Sequence, residues 1–129
     1  MSEKFSVEII TPNNTILKTE ALEVILPCYE GEIGILKDHI PIITFLRPGI
    51  IKIQSDSKKN FFVEEGTVEF SKNSLLILTS TAILVSKLNT KTLEALIEES
   101  EKKLNDDSIN DKEKYLTFYK IQTLKQIIQ

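Results

Sequence analysis

Apolar residues recur with a period of two up to about Lys87 and with a helical period after it, and this one change divides the chain. Before it, Phe5, Val7 and Ile9 alternate with Ser6 and Glu8. Leu22, Val24 and Leu26 alternate with Ala21, Glu23 and Ile25, the spacing of strands that bury one face. Turn chemistry separates the runs: TPNN at Thr11 to Asn14, the Arg47-Pro48-Gly49 corner, DSKKN at Asp56 to Asn60, and SKNS at Ser71 to Ser74. Strand candidates recur roughly every ten residues as far as Val85, which predicts a sandwich or barrel rather than a βαβ unit. All glycines and prolines fall in that part. Beyond Lys87, Leu93, Leu96, Ile97 and Leu104 share one side of a helix, with Asn89 or Thr90 as its N-cap. NDDSIND, Asn105 to Asp111, interrupts the stripe. Ser108 or Asp111 is placed to cap a second helix running to about Ile128, with Leu116, Tyr119, Leu124, Ile127 and Ile128 on its apolar side. The expectation is β + α: a β-sandwich domain over residues 1–86 and an antiparallel α-helical hairpin over 87–129.

Helices of this length are marginal alone in water, and two of them share too little apolar contact to form an independent domain. The hairpin must therefore dock. The sandwich offers one surface and a partner another, and two sites of similar free energy would make it a switch. Partners are recognised by shape, because 16 basic and 19 acidic residues give a net charge of −3, with no bulk attraction for nucleic acid or an anionic membrane. Cys28 is the single cysteine, which favours a reducing compartment and leaves no pair for a disulfide or a zinc cage. The start, MSEKFSVEII, has no long apolar run, so neither a signal peptide nor a membrane span is expected.

The densest cluster of unusual residues is EGEIGILKDHIP, Glu30 to Pro41, which holds the only histidine. Glu30 or Glu32 with His39 would make an acid and base pair, and Cys28 with His39 a thiol dyad. The first has no nucleophile or metal beside it, and Cys28 closes a strand of alternating apolar residues as a small buried hydrophobe would. Gly31-x-x-Gly34 lacks a third glycine and runs into strand-like Ile35-Leu36, so it is not a dinucleotide loop. The part before Lys87 reads as a binding scaffold. In the hairpin, Lys112, Lys114, Lys120 and Lys125 are candidates for contact with an acidic partner. The bland alternative is a solvated face, since eight acidic residues accompany eight lysines from Lys87 onward.

The motifs also come in a specific order. FSVEIITP, EGEIGILKDHIPIITFLRPGIIKI, FFVEEGTVEFSKNSLLILTSTAI and then the helical pair run through essentially the whole chain. In this order and spacing the chain resembles the epsilon subunits of F-type ATP synthases, the bacterial counterpart of the mitochondrial delta subunit. The resemblance implies a ten-stranded β-sandwich followed by a helical hairpin, with no catalytic residue, cofactor or metal of its own. It implies a central-stalk rotor role in ATP synthesis, coupling the gamma subunit to the c ring, peripherally at the cytoplasmic face of the bacterial inner membrane. It assigns c-ring contact to Glu32, Asp38 and His39, and gamma to other sandwich surfaces. The hairpin would inhibit ATP hydrolysis when extended toward the alpha and beta subunits. Two departures matter. Leu88-Asn89-Thr90-Lys91-Thr92-Leu93 lacks the acid and arginine of the Ile/Leu-Asp-x-x-Arg-Ala motif through which some members bind ATP, so ATP binding is not expected. Lys37-Asp38 stands where Pro-Gly is usual, which recharges that turn. The rival readings are a free-standing sandwich adaptor whose helices bind another partner, and a small hydrolase built on Glu30 to His39.

Overall fold

The computed structural model describes residues 3–128. Ten strands precede two helices: β1 (Phe5–Ile10), β2 (Thr15–Ala21), β3 (Glu23–Cys28), β4 (Gly31–Leu36), β5 (Ile42–Leu46), β6 (Gly49–Gln54), β7 (Lys58–Val63), β8 (Gly66–Ser71), β9 (Ser74–Thr79), β10 (Ala82–Leu84), then a 3-10 turn at Val85–Lys87, α1 (Thr90–Leu104) and α2 (Asp111–Ile128). The hydrogen-bonded order is β10-β7-β6-β3-β5-β8-β9-β1-β2, with β4 on the other side of β3. Between β3 and β5 the ladder narrows to one pair, Cys28 opposite Leu46. Two five-stranded layers thus face each other, β10-β7-β6-β3-β4 and β5-β8-β9-β1-β2, joined at that pinch. The ten-stranded sandwich with a helical hairpin is the expected fold class.

Strand alternation builds the core. Phe5, Val7 and Ile9 from β1, Val24 and Leu26 from β3, Ile51 and Ile53 from β6, and Val68, Phe70, Leu75 and Ile77 from β8 and β9 interdigitate between the layers. Burying a side chain of this size contributes about 1.5–3 kcal/mol. Two expectations need correction. Leu22 does not face the core: it is 37% exposed and Ala21 is buried. The phase slips because the chain crosses there from β2 to β3, and the Leu22 N–H donates to the Gln54 carbonyl instead. The turn expected over Asp56 to Asn60 is shorter, because Lys58 to Asn60 pair with Gln54 to Lys52 and extend β7. Gly66 is required by close packing, since a Cβ there would strike the Leu78 carbonyl.

In β7 three consecutive residues, Phe61, Phe62 and Val63, are all buried. Phe61 and Val63 point between the layers, and Phe62 points outward, where it forms a second cluster with Leu93 of α1 and Leu124 of α2. A continuous apolar run is what a strand covered on both faces needs. The hairpin is that cover. Asn89 caps α1, its side chain accepting from the Thr92 N–H at 2.8 Å. The cap of α2 is Asn110, accepting from the Glu113 N–H at 2.8 Å, rather than Ser108 or Asp111. Ser108 is spent on an Asx turn, donating to Asp106 through its N–H and hydroxyl, and these bonds hold the Asp106 carboxyl below its usual pKa. Thr117, Ile121 and Thr123 join Leu124 on the buried side of α2. Thr123 is admitted because its hydroxyl donates to the Tyr119 carbonyl at 2.8 Å.

Candidate partner-binding surfaces

The stretch from Glu30 to His39 is two turns separated by a strand, not a single loop. Glu32 lies early in β4 opposite Pro27, 3.9 Å from the Lys52 ammonium. Asp38 and His39 follow the other end of β4, whose last residue Leu36 is already about 13 Å from Glu32 at ~3.3 Å per residue. Asp38 and His39 are brought together and Glu32 is not. No acid and base pair forms between Glu30 or Glu32 and His39, nor a dyad with Cys28. The Cys28 thiol is fully buried, and that burial raises its pKa.

Around Asp38 the end of the sandwich is clasped. The Asp38 N–H donates to Asn73 Oδ1 at 2.7 Å, and Asn73 Nδ2 donates to Asp38 Oδ1 at 3.0 Å. Asn73 sits in the β8–β9 turn, whose Lys72 and Asn73 both have positive φ, the geometry of a tight hairpin turn. His39 packs edge-on against Phe70 with ring centroids 5.9 Å apart, and its Nδ1 lies 2.7 Å from the Ile40 carbonyl. That contact makes Nδ1 the protonated nitrogen when the ring is neutral. A fixed, polar loop end results, beside Ile40 at 74% and Leu36 at 55% exposure.

A surface that sequence reading missed lies on the layer opposite the hairpin. The outer face of β5-β8-β9-β1 carries the row Phe45–Thr67–Leu78–Ile10 and beside it the row Ile43–Glu69–Leu76–Glu8, in ladder register. Ile43 is 74% exposed, Phe45 57% and Leu78 44%. A groove of about 750 Å³ runs along Phe45, Leu78 and Ile10 to Tyr29 and Lys112. Clustering of exposed large apolar residues on one face marks an interaction surface, whereas single ones are ordinary. The signal was present as alternation in ITF and LLIL, but period two does not tell which face water sees.

The four hairpin lysines are largely engaged within the chain. Lys120 meets Glu64 at 3.0 Å, Lys112 meets Glu65 at 3.9 Å, and Lys125 meets Glu101 of α1 at 3.6 Å. Lys114 makes no ion pair among the described residues. An aromatic seam lies beside them: Tyr29 against Tyr115, Tyr115 against Tyr119, and the Arg47 guanidinium over Tyr119 at 4.3 Å. Desolvation raises the pKa of Tyr29 and of Tyr115, aided by Glu65 at Tyr29 and by Tyr119 at Tyr115. Among the described residues no group of His, Cys, Asp and Glu could hold a metal ion, and no helix is long and apolar enough to cross a membrane.

Comparison with known proteins fits this geometry. The ATP synthase, Delta/Epsilon chain, beta-sandwich domain family matches residues 4–85. The ATP synthase epsilon chain of Pelagibacter ubique is 44% identical over 129 residues, covering 98% of this chain and 99% of that one. That of Hydrogenobaculum sp. is 31% identical over 100 residues, covering 78% of this chain and 74% of the relative. A chain in the Euglena gracilis mitochondrial ATP synthase structure superposes with a TM-score of 0.82 at 17% identity, over 100% of this chain and 84% of that one. A chain of the Tetrahymena thermophila mitochondrial ATP synthase central stalk and c-ring gives 0.73 at 16% identity, over 99% and 98%. At these identities the structural likeness speaks for the fold.

Proposed function

Because this chain belongs to the ATP synthase delta/epsilon family, we propose that it works as a non-catalytic rotor subunit, clamped between the gamma subunit and the c ring of the central stalk. The observation that carries the reading is the unequal covering of the two sheets. The β7 face is closed by the chain's own helices around Phe62, while the β5-β8-β9-β1 face leaves Ile43, Phe45 and Leu78 in water. We assign gamma to that open face. Shape and apolar burial make a permanent joint without needing charge, as a subunit carrying torque requires.

The clasped end, with Asp38 and His39, is assigned to the polar surface of the c ring, and Glu32 serves the same contact from the other end of β4. The membrane attachment is then peripheral, through the ring, at the cytoplasmic face of a bacterial inner membrane. In the docked position the hairpin leaves ATP hydrolysis permitted. Released, it extends toward the alpha and beta subunits and inhibits, with the basic side of α2 available to them. Retention of proton-driven coupling with residues 88–129 deleted, alongside loss of inhibition, would support this division of labour.

The gamma assignment is tested by Phe45→Glu combined with Ile43→Glu. Both side chains stand in water, so the variant should melt like the parent but lose co-purification with gamma by at least tenfold. Undiminished capture of gamma would overturn the assignment. Capture of neither parent nor variant would remove the rotor reading and favour the free-standing adaptor.

A further inference from the structure

We propose that docking of the hairpin is controlled by a preset ionic latch, in which Glu64 and Glu65 of the β7–β8 connection hold Lys120 and Lys112 of α2. The inference deepens the reading above and rests on the hairpin having a second position. Among the described residues the ion pairs sort cleanly by what undocking would do to them. Lys4–Asp56 and Lys52–Glu32 lie within the body. Lys102–Glu98, Lys103–Glu113 and Lys125–Glu101 lie within the hairpin and would travel with it. Lys120–Glu64 and Lys112–Glu65 alone cross the seam.

The first of these is not an ordinary surface pair. Its side chains are only 23% and 34% exposed, and the contact is 3.0 Å. Salt screens such a pair less than a fully exposed one and leaves it more attractive. Glu64 is also held in advance. The Thr81 hydroxyl donates to Glu64 Oε2 at 3.3 Å, and the Thr81 N–H donates to Thr79 Oγ1 at 3.3 Å. Thr79 in turn donates to the Glu65 carbonyl, which fixes the connection from the β9–β10 side. The body therefore presents the Glu64 carboxylate already oriented before α2 arrives, so little side-chain freedom is lost on the acceptor side of that pair.

Against this stands a small apolar anchor, with Phe62, Leu93 and Leu124 as its fully enclosed members. Partly buried Val85, Leu88, Leu96, Ile97, Ile127 and Ile128 pack around them, and beyond these the seam is aromatic or polar: Tyr29 on Tyr115, Arg47 on Tyr119, and Thr123 near the Pro48 carbonyl. Apolar burial gives the docked state its place, and the latch sets its occupancy. A further consequence is exclusivity. Lys112 and Lys120 cannot serve Glu64 and Glu65 and an acidic partner surface together, so any partner that recruits them must displace these two glutamates.

The test uses the full chain, free of other subunits. All three tyrosines lie in the seam and the chain has no tryptophan, so the tyrosine near-ultraviolet circular dichroism band reports docking. Proteolysis between Lys87 and Asn89 reports it independently. Glu64→Lys should lose most of the tyrosine band and be cleaved about tenfold faster, while far-ultraviolet strand signal is kept. Glu64→Lys with Lys120→Glu should restore both. Raising NaCl from about 0.05 M to about 1 M should weaken the band in the parent and not in Glu64→Gln/Glu65→Gln. An unchanged band in Glu64→Lys, or a charge swap that fails to restore it, would sink the latch. The rotor reading stands or falls separately, on capture of gamma.

Discussion

Asp38, Lys72 and Asn73 hold φ values of 68°, 50° and 58°, where non-glycine residues are uncommon and asparagine and aspartate are tolerated best. The clasp between Asp38 and Asn73 explains how the backbone keeps those angles. At Asp38, Asn73 supplies from the β8–β9 turn what a missing Cβ would otherwise allow. Asn73→Ala removes both hydrogen bonds and the side chain best suited to its φ. It should cost about 1–3 kcal/mol, read as a lower urea midpoint with unchanged slope. Asn73→Gly, which frees the backbone but not the clasp, should cost less. The turn itself was legible in SKNS. The clasp was not, because it joins residues 35 apart and local pattern carries no information about which turns meet.

At the scale of elements, the strands were legible because each is half-buried and period two survives. The reading failed where a strand crosses between layers, as at Leu22, or extends into water, as at Lys58 to Asn60. There cross-strand pairing outweighs the turn propensity of polar residues. The helices were legible as a stripe, but Thr117 and Thr123 were invisible because neither is apolar, and the burial of Thr123 depends on a hydroxyl bonding locally to Tyr119. Asn110 was overlooked beside two equally plausible caps. Its role gives a direct expectation: Asn110→Ala leaves the first turn of α2 unsatisfied and should destabilise the hairpin by about 1 kcal/mol. Circular dichroism at 222 nm would show earlier melting of helix than of strand, and Ser108→Ala would leave that transition in place. The candidate site divided in the same way. The segment holding Asp38 and His39 stood out by its unusual residues and was assigned a role by resemblance, while the apolar face at Ile43 and Phe45 needed the sheet order before it could be seen as one surface.

For the whole molecule, the two clusters of buried residues predict how the chain comes apart. The inter-layer core is drawn entirely from residues before Lys87, and of the fully buried members of the second cluster only Phe62 comes from the body, with Val85 packed beside it. A chain ending at Lys87 should therefore keep a cooperative calorimetric transition and capture gamma normally, with lower solubility because Phe62 is uncovered. A broad, non-cooperative melt would show that the helices are part of one folding unit. The parallel pairing of β1 with β9 has a consequence for biosynthesis. The first strand to leave the ribosome waits for almost the last, roughly three to fourteen seconds at about 5–20 residues per second, and the barrel-like body stays open meanwhile. The helices are made last and are marginal alone in water, so the hairpin settles only once the body offers Phe62 as its seat. The newborn protein thus completes its scaffold before its tail can settle, and a waiting assembly partner would meet the sandwich first.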